Sequence, residues 1–330
     1  MRESTNVMKV VLIALAGVAF VAGFLFKEGM LGKKQRYKKD VPYIKLDNFI
    51  KPIDPALIGY DEIEQIKLDI TKAKAITIGL EDKIYVAGDK ELVIFQKDGK
   101  EIARTFIEKP AQCMTFAPNK QIIFGSKNQI RLFDIEGSEI AAWENLHEFA
   151  FLTSIAATEE HVFAADARNR VIWKFNYSGE LLDTFGKRDI KKGKFGFIIP
   201  GPFFDVAIGY EGNLWAVNPG KHSIENYSLA GELISSWERA SVDINGFCGC
   251  CNPTHFAILP NGAFVTAEKG IPRVKVHKPT GDLLTVVAGP KLFEEGALIA
   301  DLAIDSEQRI LVLDPAANAV RIFVEKGEIE

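Results

Sequence analysis

The sequence predicts an all-β fold, a six-bladed β-propeller, preceded by one N-terminal transmembrane helix. Three observations carry that expectation. A four-strand unit of roughly 40–50 residues recurs six times. The sixth unit stops after its third strand, and a strand-like segment ahead of the first unit can complete it. An unbroken apolar run occupies residues 10–26.

The clearest unit spans residues 254–287, THFAILPNGAFVTAEKGIPRVKVHKPTGDLLTVV. Short runs rich in β-branched and aromatic residues alternate with turns at Asn261-Gly262 and Thr280-Gly281, the pattern of an antiparallel meander. Second strands begin near Ile84, Ile122, Val162, Leu214, Phe264 and Ile310, at spacings of 38, 40, 52, 50 and 46 residues. The last turns, at Gly99, Gly137, Gly179, Gly231 and Gly281, give an independent register that agrees. The segment 63–70, IEQIKLDI, is the expected closing strand, and closure removes sheet edges that would otherwise recruit other chains. The alternative is a seven-bladed ring with one blade hidden in residues 40–62.

Residues 166–175, DARNRVIWKF, followed by Ser178-Gly179, resemble the core of the NHL-repeat family, and residues 212–217, GNLWAV, match its second strand. The resemblance covers roughly residues 70–325. It implies a six-bladed ring and leaves function open, because the family holds binding scaffolds, sensors and a few enzymes. Units one and two depart from the pattern, with Gly88-Asp89 and Ser126-Lys127 in place of the usual acidic loop.

The composition is that of a globular chain: 47% hydrophobic, 25% charged, net charge -4. A phosphate backbone asks for a basic face, so no nucleic-acid partner is expected. The apolar run, with Arg2 and Lys9 before it and no small-residue cleavage triplet after it, reads as an uncleaved signal-anchor. The expected organisation is an anchor in residues 1–30, a basic juxtamembrane segment and linker in 31–62, and the propeller in 63–330. The protein is then single-pass and membrane-bound. Likeness to exported relatives favours an extracytoplasmic, periplasmic propeller. Lys27, Lys33, Lys34, Arg36, Lys38 and Lys39 argue for the cytoplasm by the positive-inside rule.

Blade geometry puts the connectors between blades on one face, together with the loops joining second and third strands. Three connectors are long: 186–205, 238–253 and 288–300. Long loops on a rigid scaffold are where function concentrates, so a protein partner is expected on this face. The first of them carries Arg188, Lys191, Lys192 and Lys194, a solvated loop or a docking patch for an acidic protein or a membrane surface.

The sharpest local signal is cysteine. Three of four cysteines, Cys248, Cys250 and Cys251, crowd into one connector, and Cys113 begins the inner strand of blade two. The readings are a structural disulfide or packing, redox-active thiols, or a metal centre. An iron–sulfur cluster, zinc or copper suits such thiolates, with Cys113 or His255 as a fourth ligand. His255 enters an inner strand and is expected to face the channel as a ligand or an ordinary hydrogen-bonded histidine. Glu268 and Arg273 flank the adjacent loop, with Asp166 and Arg170 in the matching places of blade three. Asp205 and Asp301 precede inner strands and are expected to ring the channel mouth. No G-x-S-x-G elbow, P-loop, H-E-x-x-H or C-x-x-C-H motif is present. The expected function is a membrane-tethered interaction scaffold rather than an enzyme. The alternative is a redox or metal-binding protein acting through the cysteine loop.

Overall fold

The computed structural model describes residues 51–327 apart from Asn145, Lys194 and the side chain of Lys192. The anchor, the basic juxtamembrane run and the first part of the linker lie outside the described residues. Among the described residues no helix is long and apolar enough to cross a membrane.

Six four-stranded antiparallel sheets form, each in sequence order from inside to outside except the last. Blade one comprises Ala75–Ile78, Ile84–Ala87, Glu91–Phe95 and Glu101–Phe106; blade two, Cys113–Phe116, Ile122–Ser126, Gln129–Phe133 and Glu139–Trp143. Blade three comprises Leu152–Ala157, His161–Asp166, Val171–Asn176 and Leu181–Phe185; blade four, Val206–Ile208, Leu214–Asn218, Ser223–Tyr227 and Leu233–Glu238. Blade five comprises His255–Ile258, Phe264–Glu268, Arg273–His277 and Leu283–Ala288. Blade six takes Asp301–Ile304, Ile310–Asp314 and Ala319–Glu325 from the end of the chain and Tyr60–Lys67 from its beginning.

The ring is thus six-bladed and closed by an N-terminal strand. That strand starts three residues before the expected Ile63, because Tyr60 already pairs with Glu325. The seven-bladed alternative is overturned: residues 51–59 hold one short 3-10 turn, Pro55–Leu57, and an isolated bridge from Ile58 to Val286.

The second strands of blades one, two, five and six are buried along their whole length, so both faces of each sheet are covered. Neighbouring blades share cores through these faces. The turn glycine of one blade meets the outer strand of the blade before it. A Cβ on Gly281, whose φ of 84° lies in the left-handed region open to glycine, would lie 2.5 Å from Trp237. Gly99 meets Ile66 of the closing strand in the same way, so the closure reproduces the spacing of an ordinary blade pair.

A second device repeats. The polar residue ending the second strand accepts an N–H from the connector that precedes its blade. Asp166 takes Phe151 N at 3.1 Å, Asn218 takes Ile198 N at 2.9 Å, and Glu268 takes Cys248 N at 3.3 Å. The third residue of the next strand supplies or receives the matching bond: Trp173 to Asp166, Lys275 to Glu268, Arg321 to Asp314. Arg273 pairs in register with Glu268, whereas Val171 holds that place opposite Asp166. Arg170, expected to match Arg273, is an exposed loop residue instead.

Candidate functional site

The six inner strands surround a channel with a cavity of about 350 Å³. Its two ends differ in chemistry. The end at the turn face is lined by Ile78, Phe116, Ile208 and Ile258, among others. The end at the connector face holds Asp205, His255 and Asp301, from the consecutive blades four, five and six, with Cys113 of blade two.

Inner-strand backbone fixes the carboxylates. Asp205 accepts Val206 N at 3.0 Å and, across the blade boundary, Phe256 N at 2.8 Å. Asp301 accepts Leu302 N at 2.8 Å and, across the closing boundary, Ile76 N at 3.0 Å. His255 stands between them, its Nδ1 3.7 Å from Asp205 and 3.8 Å from Asp301. Burial opposes its charge, but hydrogen bonding and charge from Asp205, with Asp301 adding, outweigh burial and raise its pKa above the usual histidine value. Burial pushes Asp301 up to about 7, with His255 opposing and Asp205 reinforcing the rise.

Both shifts act in one direction. Between the ordinary carboxyl value of 3.8 and about 7, folded Asp301 holds a proton that the unfolded chain has lost. Raised His255 likewise contributes stability that disappears as pH climbs through its folded pKa. The melting temperature is therefore expected to fall by a few degrees from pH 5 to pH 8 relative to Asp301→Asn, measured by calorimetry across that range.

The cysteine connector reaches this mouth. It is held from beneath by buried charge: Arg273 donates to Glu268 at 3.0 and 2.6 Å, and Lys275 lies 2.8 Å from the same carboxylate. Lys275 also donates to the carbonyls of Ile244 and Gly246, at 3.1 and 2.7 Å. Phe247 plugs the loop into the core against Trp237 and His277, with the Lys275 ammonium 4.7 Å from its ring centre. Asn252, joined to Pro253 by a cis peptide, bonds Cys248 O, Lys269 O and Lys269 N.

The loop so held presents Cys250 to solvent and buries Cys251, with their sulfurs 3.3 Å apart. Burial raises the Cys251 pKa, its bond with Cys250 adds to the rise, and Lys269 opposes it. Lys269 also lies 5.0 Å from the ring centre of Phe203, and Phe203 meets His255 edge-on at 6.5 Å. Thiol loop, Lys269, Phe203 and His255 form one continuous path from rim to channel.

The sequence-predicted residues therefore separate into groups. Cys248, Cys250 and Cys251 share one loop at the mouth, and His255, Asp205 and Asp301 share the channel. Glu268 and Arg273 are buried supports of the loop. Cys113 packs against Gly125, Leu152 and Ile155 in blades two and three, its thiol raised by burial and then by Asp301 and Asp205. Among the described residues no three His, Cys, Asp or Glu side chains are placed to hold a metal, and all four cysteines are free thiols. The four-thiolate set with Cys113 is not assembled here. Arg188 and Lys191 are exposed on connector 186–205. Phe203, Lys269 and Lys275 escaped the sequence reading. The run RVKVH did carry a signal for Lys275, since strand alternation sets Arg273, Lys275 and His277 on one face.

These features define a class: a six-bladed β-propeller with a polar-mouthed channel and long connectors gathered on one face. Comparison with known proteins places the chain by fold. No family model and no curated protein matches its sequence. Among solved structures it is similar to a streptogramin B lyase, with TM-score 0.58 and 11% identity over 83% of this chain and 100% of that one. It is also similar to a catalytically inactive variant of virginiamycin B lyase from Staphylococcus aureus with quinupristin, with TM-score 0.55 and 13% identity over 80% and 99% of the two chains. A protein of unknown function from Bacteroides thetaiotaomicron gives TM-score 0.60 and 11% identity over 81% and 75%.

Proposed function

We propose that the protein is a membrane-tethered, NHL-type propeller that acts as an interaction scaffold through its long-connector face. The observation that carries this reading is convergence. Cys251, Lys269 and Phe203 form a chain of contacts that ends on His255 at the polar end of the channel. The chain joins the propeller on that same face, where Lys51 pairs with Asp243 of the cysteine connector at 2.7 Å. The apolar run at residues 10–26 precedes that junction in sequence and supports the tether.

The full-length chain is expected to remain with membranes through alkaline carbonate extraction, and a chain lacking residues 1–30 to be released. Release of the full-length chain would remove the tether. If the propeller is extracytoplasmic, protease added to spheroplasts is expected to cut it; protection until the inner membrane is lysed would reverse that reading.

The 3.3 Å separation of the Cys250 and Cys251 sulfurs favours a second reading, thiol redox or soft-metal chemistry at the rim. Stoichiometric iron, zinc or copper in anaerobically purified protein, lost in Cys250→Ser, would support its metal form. Metal-free protein with four titratable thiols would remove that form.

A further inference from the structure

Neither the scaffold reading nor the thiol loop uses the three ionisable groups inside the channel. Asp205, His255 and Asp301 come from consecutive blades and converge on one end of a cavity of about 350 Å³, the size of a small-molecule site. Packing alone does not ask for them. The residue opening the inner strand, His255 in blade five and Asp301 in blade six, is Ala75 in blade one and Cys113 in blade two. Those two pair with their second strands in the same way, and the ring is continuous there without a carboxylate. Acceptor capacity is also left over. Each oxygen of Asp205 and Asp301 accepts one backbone N–H and keeps a second lone pair. Among the described residues His255 is the only basic side chain that pairs with either carboxylate. Lys74, which also lines the cavity, is held by Asp89 at 3.1 Å.

A primary ammonium fits what remains. Its three N–H donors match a lone pair of Asp205, one of Asp301 and the neutral imidazole of His255. Among the described residues these groups are not placed to hold a metal. Beyond them the cavity turns apolar, toward Phe116, Ile208 and Ile258 at its far end, which suits a hydrocarbon body rather than a bare ammonium ion. We propose that the channel is a binding site for a small primary amine with an apolar body, its ammonium received by Asp205, His255 and Asp301. The site stands apart from the tether and the thiol loop, so it can fail without them and they without it. Binding follows pH. Burial pushes Asp301 up to about 7, and the pKa of His255 is raised, so both lose a proton as pH climbs to 8 and become the acceptors that the ammonium needs. The other groups facing them are Asp205, Lys74 in its pair with Asp89, and the Cys113 thiol, which burial keeps protonated.

Isothermal titration calorimetry of the full chain in a neutral detergent tests this, with benzylamine and hexylamine as probes. Each is expected to bind at one site per chain at pH 8. Benzylamine should bind roughly tenfold or more tighter than benzyl alcohol, which lacks the charge, and than benzyltrimethylammonium, which lacks the N–H donors. Its affinity should fall by roughly tenfold from pH 8 to pH 6 as Asp301 takes up its proton. Asp301→Asn is expected to lose roughly tenfold in affinity at pH 8 and most of the pH dependence. Benzylamine should raise the melting temperature of the parent and not that of Asp301→Asn, a measurement that also shows whether the variant folds. No binding of either amine, equal binding of benzyl alcohol or benzyltrimethylammonium, or a folded Asp301→Asn that binds as the parent does would overturn the proposal. If Asp301→Asn does not fold, the comparison of benzylamine with its two analogues on the parent protein decides.

Discussion

Glu268→Gln is expected to lower the stability of the propeller by about 3–5 kcal/mol, the usual cost of breaking a buried ion pair from one side. The carboxylate is 1% exposed and faces two cations, Arg273 at 4% and Lys275 at 0%. Glutamine keeps the shape and removes the charge, leaving both cations in a site that water does not reach. The melting temperature should fall by roughly 10 °C. The change also loosens the cysteine connector, because the same carboxylate accepts Cys248 N and fixes the cations that hold Gly246 and Ile244. In the parent protein a thiol reagent is expected to modify exposed Cys250 rapidly and buried Cys251 and Cys113 slowly. In Glu268→Gln the Cys251 rate should rise while the Cys113 rate stays low. Unchanged thiol kinetics alongside a lower melting temperature would mean that the buried cluster does not hold the loop. The pH dependence gives a further check. Burial pushes Lys275 down to about 8, against 10.5 in the unfolded chain. Between those values the unfolded chain binds the extra proton, so the contribution of Lys275 to stability rises with pH.

Arg321→Met is expected to cost a similar amount, about 3–5 kcal/mol, at the seam where the ring closes. Arg321 donates to Glu62 of the N-terminal strand at 2.9 Å and to Asp314 at 3.3 Å, and its guanidinium lies 4.9 Å from the Phe293 ring centre. Loss of the cation leaves Asp314, 2% exposed, buried without a counter-charge. Glu62 is partly exposed, and its loss leaves Arg321 still paired with Asp314, so Glu62→Gln should cost less than Arg321→Met. Denaturant titration of the two variants checks the asymmetry. Equal losses would mean that the seam depends on the Glu62 contact rather than on neutralising Asp314.

The architecture was readable because its evidence is periodic and repeated. Turn glycines and β-branched runs recur in every unit, and the three-strand sixth unit announces its missing partner. The channel residues were half readable: His255 and Asp301 begin inner strands and Asp205 directly precedes one, which put them at one mouth without giving their distances. Three features were not readable, each for a physical reason. Phe203 and Lys269 become neighbours only when the connector before blade four and the loop between the second and third strands of blade five fold over the same opening. Arg170 was matched to Arg273 by residue type, but the two loops are equally long, so the place opposite Asp166 falls on Val171 and Arg170 is the last loop residue before it. Cys113 shared a residue type with the loop thiols, yet the packing of blades two and three claims it for the core.

The claim that the connector face is the working face is tested most directly by photo-crosslinking in the native membrane. A photoreactive side chain placed at Phe203 or Lys269, and separately at Tyr210 on the turn face, reads each surface in the full-length protein. The account predicts discrete adducts from Phe203 and Lys269 and none from Tyr210. Adducts from Tyr210 alone, with both mouth positions silent, would contradict it.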